Sequence, residues 1–192
     1  MSAAPQQTWT AEDYLAHERA SEQRHEYLDG DILLMAGASA RHNLIVTNIL
    51  ASLHTQLRQR PCVVYPGDMR VKVSLTGLYT YPDISVVCGQ SQFEDDQQDT
   101  LLNPVLIVEV LSPSTEGYDR GKKFQHYRTL PTLQEYVLVA QDTRRIERYV
   151  RQENDRWLLD DVGGEDGSVD LRSIDCRLVL AEVYEKVVFE SA

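Results

Sequence analysis

A chain of 192 residues, 42% apolar and 26% charged, has the make-up of an ordinary globular protein, long enough for one domain with a sizeable core. It holds no apolar run of about 18 residues, which excludes a membrane-spanning helix, and its start, MSAAPQQTW, lacks the basic and apolar stretches of a secretory signal. A net charge of −11 argues against avid nucleic-acid binding by the surface as a whole.

The charge is unevenly spread. Residues 41–72 are net +4 and residues 113–151 net +3, whereas 1–40, 73–112 and 152–192 are net −5, −6 and −7. The two basic segments are candidates for a phosphate-facing side, although basic clusters on helices are commonly solvated faces. The three cysteines, Cys62, Cys88 and Cys176, are far apart, with no zinc spacing and no even set for disulfides. This reads as a reducing, cytoplasmic setting.

In chain order, Thr10 is a candidate N-cap for a first helix that ends near Ala20, with Asp13 at the capping-box position. His25 to Met35 reads as a hairpin turning at Asp29-Gly30, the strong two-residue turn signal. Ala40 to Arg60 is the longest predicted helix, capped by Ser39. Its Leu44, Ile45, Ile49, Leu53 and Leu57 make a core stripe. His42 lies in its first turn.

Val63–Tyr65 and Met69–Val73 predict one or two strands, and Ile84–Cys88 another, preceded by Pro82 and Asp83. Ser91 to Thr100 is an acidic loop without a calcium-loop glycine. Pro104 to Leu111 is a nearly continuous β-branched run, the pattern of a strand buried on both faces, yet it contains Glu109. An ionised carboxylate there costs several kcal/mol unless paired, hydrogen-bonded or metal-bound.

A helix follows, with Asp119 as candidate N-cap, Lys122 and Lys123 in its first turns, and Phe124, Tyr127 and Leu130 spaced to face a core. Glu135–Ala140 is the next strand. Strand, helix and strand together form a crossover unit with parallel strands. A second hairpin is predicted around Glu153-Asn154-Asp155. Short strands follow between Val169 and Leu180, then a closing helix from Ala181 to Val187.

The segments YPDISVV, IVEVLSPST and DRGKKFQHYR followed by LQEYVLV resemble the Uma-type family of proposed restriction endonucleases, in the PD-(D/E)xK nuclease-like superfamily. The likeness runs from Trp9 to about Val187. It implies an α/β restriction-endonuclease-like core, a mixed sheet flanked by helices, with a β-rich C-terminal extension. It also implies an endonuclease that hydrolyses DNA with Mg²⁺ or Mn²⁺, and a homodimer. Asp83 and Glu109 match the two acidic positions and would hold the metal with the main-chain carbonyl of Val110. The position two after Glu109 is Leu111, not the superfamily's lysine. That lysine matches Lys123 on the next helix, with Lys122 as the runner-up. Glu26, His42 and Tyr127 complete the secondary candidates. The alternative is a non-catalytic interaction or regulatory protein that keeps the nuclease fold.

Overall fold

The computed structural model describes residues 8–189. Helix α1 (Ala11–Ala20) starts with the predicted capping box: the Thr10 hydroxyl accepts from the Asp13 amide, and the Asp13 carboxylate accepts from the Thr10 amide. Strands β1 (His25–Leu28) and β2 (Asp31–Leu34) form the predicted hairpin, with Leu28 opposite Asp31. Its two turn residues, Asp29 and Gly30, both have positive φ, the two-residue turn that matches strand twist. Helix α2 (Ala40–Leu57) is capped by Ser39 and buries Ile45, Ile49, Leu53 and Leu57.

Next come β3 (Cys62–Pro66), β4 (Arg70–Val73), β5 (Leu78–Thr80), β6 (Ile84–Cys88), β7 (Thr100–Leu101) and β8 (Leu106–Leu111). The helix after β8 is composite. It begins as α3 (Glu116–Tyr118), passes through a π turn at Asp119–Lys123, and continues as α4 (Phe124–Tyr127). Asp119 is therefore not its N-cap: the helix starts three residues earlier, and Asp119 faces inward, buried. Strands β9 (Glu135–Ala140), β10 (Arg145–Arg151), β11 (Trp157–Gly163), β12 (Ser168–Leu171) and β13 (Cys176–Val179) precede α5 (Leu180–Val183), which is shorter than the predicted closing helix.

The predicted mixed sheet is present as two sheets and a ribbon. Six strands run in the order β11-β10-β9-β8-β6-β3, five in the order β2-β1-β5-β4-β7, and β12 pairs with β13. In the six-stranded sheet only β8 and β9 are parallel, joined by the composite helix as the crossover. Alternation along β8 splits the core. Leu106, Val108 and Val110 pack with the α2 stripe, while Ile107 and Leu111 pack with Tyr127, Leu130 and the β4–β5 residues. All six residues of β8 are buried, as its apolar run predicts.

The cysteines depart from the expectation of an unpaired set. Antiparallel pairing sets Cys62 directly opposite Cys88, with Cα atoms 4.0 Å apart, and the two form a disulfide. Cys176 is free and buried. Positions 26 residues apart in sequence become neighbours through the β3–β6 register, so spacing alone gave no sign of the pair. The cysteines thus lend no support to a reducing compartment. Among the described residues no helix is long and apolar enough to cross a membrane.

Candidate active site

Asp83 sits immediately before β6, and Glu109 and Val110 near the end of β8. The last β6–β8 register pair is Ile84 with Val108. Beyond it the Val110 amide is taken by a side chain: it donates to Asp83 Oδ2 at 2.7 Å. The other Asp83 oxygen, Oδ1, lies 2.9 Å from His42 Nε2. Glu109 is turned to the face of the sheet covered by the composite helix. Its Oε1 accepts from the Tyr127 hydroxyl at 2.9 Å and pairs with Lys123 Nζ at 2.9 Å. Its Oε2 points to the Asp83 side, 3.4 Å from the Asp83 amide.

Lys123 also reaches Glu26 Oε1 at 3.3 Å and Asp119 Oδ1 at 3.8 Å. The Thr80 hydroxyl donates to Glu26 Oε1, and the Tyr118 hydroxyl lies 3.5 Å from Glu26 Oε2. The π turn ends at Lys123, and turns of this kind recur at functional sites. Lys123 is 5% exposed, whereas Lys122 is exposed and outside the cluster. The structure thus gathers Asp83, Glu109, Lys123, Glu26, His42 and Tyr127, and leaves Lys122 apart.

Asp119 was missed as a site residue because it reads as a cap. The available signal was its i, i+4 spacing from Lys123, which places opposite charges on one helix face. Thr80 and Tyr118 carried no signal, because their roles depend on how the two sheets meet.

The cluster carries more negative than positive charge. Four carboxylates, Glu26, Asp83, Glu109 and Asp119, surround one ammonium and one imidazole. Burial raises the Glu109 pKa; Lys123 pulls it down, but Asp83 and Asp119 push it up further. Asp119 is raised by burial too, against the pull of Lys123. Burial alone would lower Lys123, yet Glu109, Glu26 and Asp119 hold it well above its ordinary value, so it stays cationic. For His42, the pull of burial is outweighed by Asp83 and the Val110 main chain, and its pKa rises.

These groups line one cleft of about 1130 Å³. Leu33, Leu34 and Met35, from β2 and the loop after it, add apolar lining to the same cleft. Among the described residues no three His, Cys, Asp or Glu side chains are set to hold a metal ion by themselves. The donor chemistry still suits a hard divalent cation: two carboxylates and a main-chain carbonyl, all oxygen, with remaining positions left to water and substrate.

The basic segments do not present a continuous cationic face. Arg60 pairs with Asp175, Arg70 with Asp99, Lys72 with Glu94, Arg120 with Glu116 and Glu147, Arg145 with Asp161, and Arg148 with Asp160.

The family model Uma2, described as "Putative restriction endonuclease", matches residues 11–180, a span that holds every residue of the cluster. The chain belongs to the Uma2 family. Two Synechocystis sp. proteins (strain ATCC 27184 / PCC 6803 / Kazusa) are similar along most of their length, both named as uncharacterized. One, sll1609, is 36% identical over 170 residues, covering 88% of this chain and 96% of its own. The other, slr1290, is 34% identical over 187 residues, covering 97% of each. A crystal structure from Anabaena variabilis ATCC 29413, described as a "putative nuclease belonging to DUF820", superposes with a TM-score of 0.72 at 19% identity. It covers 88% of this chain and 93% of its own, and it shares the fold.

Proposed function

We propose that this Uma2 protein is a Mg²⁺- or Mn²⁺-dependent endonuclease that hydrolyses DNA phosphodiester bonds, working as a homodimer so that two centres can meet two strands. The observation that carries the reading is the excess of buried carboxylate over cation at the mouth of β6 and β8, inside the cleft. Such an excess is relieved by taking up either protons or a cation. Asp83, Glu109 and the Val110 carbonyl would hold the ion. The chemistry it supplies when bound is polarisation of a phosphate oxygen and a lowered pKa for an attacking water.

The chain's own groups do the rest. Tyr127 and Lys123 occupy Glu109 Oε1, which leaves Oε2 on the side of Asp83. Lys123 is a fixed positive charge, held by three carboxylates, that stabilises charge on the phosphate or orients the water.

A second reading, a non-catalytic protein on the same fold, is favoured by one observation: most basic side chains of the two basic segments are already in ion pairs. One experiment separates the two. Purified protein is incubated with supercoiled plasmid in Mn²⁺ and in chelator, and its melting temperature is followed with Mn²⁺. The nuclease reading expects Mn²⁺-dependent nicking and a Mn²⁺-raised melting temperature. Asp83→Asn and Glu109→Gln should each abolish both. Lys123→Ala should keep the thermal shift and lose on the order of 100-fold or more in rate. Lys122→Ala should keep the wild-type rate at saturating plasmid. An unchanged Mn²⁺ shift in both acid variants removes these residues from the metal site, and an inert wild type that binds Mn²⁺ favours the second reading.

A further inference from the structure

The Asp83 carboxylate has both oxygens engaged, by groups from two different elements. Val110, on β8, holds Oδ2 through its amide. His42, in the first turn of α2, holds Oδ1 through Nε2. An ionised carboxylate only accepts hydrogen bonds, so Nε2 carries the proton in this contact. Four lone-pair directions shared between two donors leave one on each oxygen.

The placement of His42 is built into the fold. The Ser39 hydroxyl accepts from the His42 amide at 3.1 Å, which caps α2 and fixes the backbone of the first turn. The same hydroxyl donates to Gln141 Oε1 at 2.9 Å, just past the end of β9. The start of α2 is therefore pinned to the end of the sheet where β8 and β9 finish, and His42 is delivered to Asp83 across 41 residues of sequence. The imidazole and the carboxylate are both mostly covered, at 14% and 22% side-chain exposure, so water competes weakly for the contact.

We propose that His42 is a positioning residue: it orients the Asp83 carboxylate so that the free lone pairs face the cleft, and it does not itself touch the cation. The inference rests on the reading of Asp83 as a cation ligand. Partners that orient a ligating carboxylate typically contribute about 10–100-fold in metal affinity.

The test is calorimetric titration of the metal-free full chain with MnCl₂ alone, beside its melting temperature without metal. His42→Phe keeps the bulk of the ring and removes the donor; it should bind Mn²⁺ about 10–100-fold more weakly. His42→Gln keeps an N–H donor and should recover most of that loss. Both should melt within a few degrees of wild type. Wild-type affinity in His42→Phe overturns the proposal. So does an equal loss in the Gln and Phe variants, which would make the imidazole a ligand. Tighter binding in His42→Phe overturns it as well, since His42 would then be a competitor of the cation. Failure of both variants to fold would make the residue structural and end the proposal. Asp83→Asn keeps the two readings apart. If that variant binds Mn²⁺ normally, the metal site itself fails. If it does not bind while His42→Phe binds with wild-type affinity, only the role of His42 fails.

Discussion

Glu109 brings a carboxylate into a strand whose other five residues are apolar and buried. Burial raises its pKa to about 8; Lys123 opposes the rise, and Asp83 and Asp119 add to it. In the unfolded chain the same group titrates in the ordinary glutamate range, about 4.3. Between those values the folded state holds a proton that the unfolded state has released. Stability of the metal-free protein therefore falls as pH rises through this window, with the loss complete above the folded value. Asp119 is raised as well and adds to the same slope. Asp99, held well below its ordinary value chiefly by Arg19, acts only at more acidic pH and with the opposite sign. The expected measurement is a melting temperature that declines from about pH 5 to pH 8 in chelator. The decline should be flatter in Glu109→Gln. A slope unchanged by that substitution would show that Glu109 does not take up a proton on folding in this range.

At the scale of elements, the β1–β2 turn offers the sharpest test. Gly30 has φ +93°, and a Cβ there would strike the Thr8 methyl, while the Gly30 carbonyl accepts from the Trp9 amide at 3.0 Å. Gly30→Ala meets both left-handed strain and a clash. It should cost about 1–2 kcal/mol or more, and so lower the melting temperature by roughly 2–4 °C for each kcal/mol. An unchanged melting temperature would mean the turn relaxes without penalty. This hairpin was legible because Asp29-Gly30 encodes it locally. The α2 stripe, the buried β8 and the parallel β8–β9 crossover were legible for the same reason: the period and the order of elements carry them. β5 and β7 were not, since they are three and two residues long and exist through pairing with β4. The π turn was invisible because it leaves no mark on side-chain period. Of the candidate site, the acids announced themselves by interrupting apolar runs, as Glu109 does. Asp119 sits on a helix, where an acid is unremarkable and its sequence context is that of a cap. The His42–Asp83 contact needed the docking of α2 on the sheet ends, which no local pattern specifies.

At the scale of the whole molecule, the alternating blocks of charge in the sequence are partners for one another. Arg60 from the first basic segment meets Asp175 near the C-terminus, Lys72 meets Glu94 in the acidic loop, and Arg145 and Arg148 meet Asp161 and Asp160 on the neighbouring strand. Block-wise net charge therefore overstates what is left to attract phosphate. Lys122 and Arg128 are exposed, and among the described residues neither side chain makes an ion pair, whereas Arg120 is gripped by Glu116 and Glu147 together. This orders their contributions to DNA binding. Each phosphate neutralised adds about −0.9 to the slope of log affinity against log salt. Lys122→Ala and Arg128→Ala should each shrink the slope by about one unit or less. Arg120→Ala should leave it unchanged and instead lower stability, because it leaves the Glu147 carboxylate, 7% exposed on β10, with only the longer 3.7 Å contact to Arg145. The measurement is a salt titration of binding to a labelled duplex, with the melting temperature of each variant recorded alongside. A slope that falls in Arg120→Ala but not in the other two would show that the Glu116–Arg120–Glu147 pairing opens on binding, and the assignment of the phosphate-facing side would be wrong.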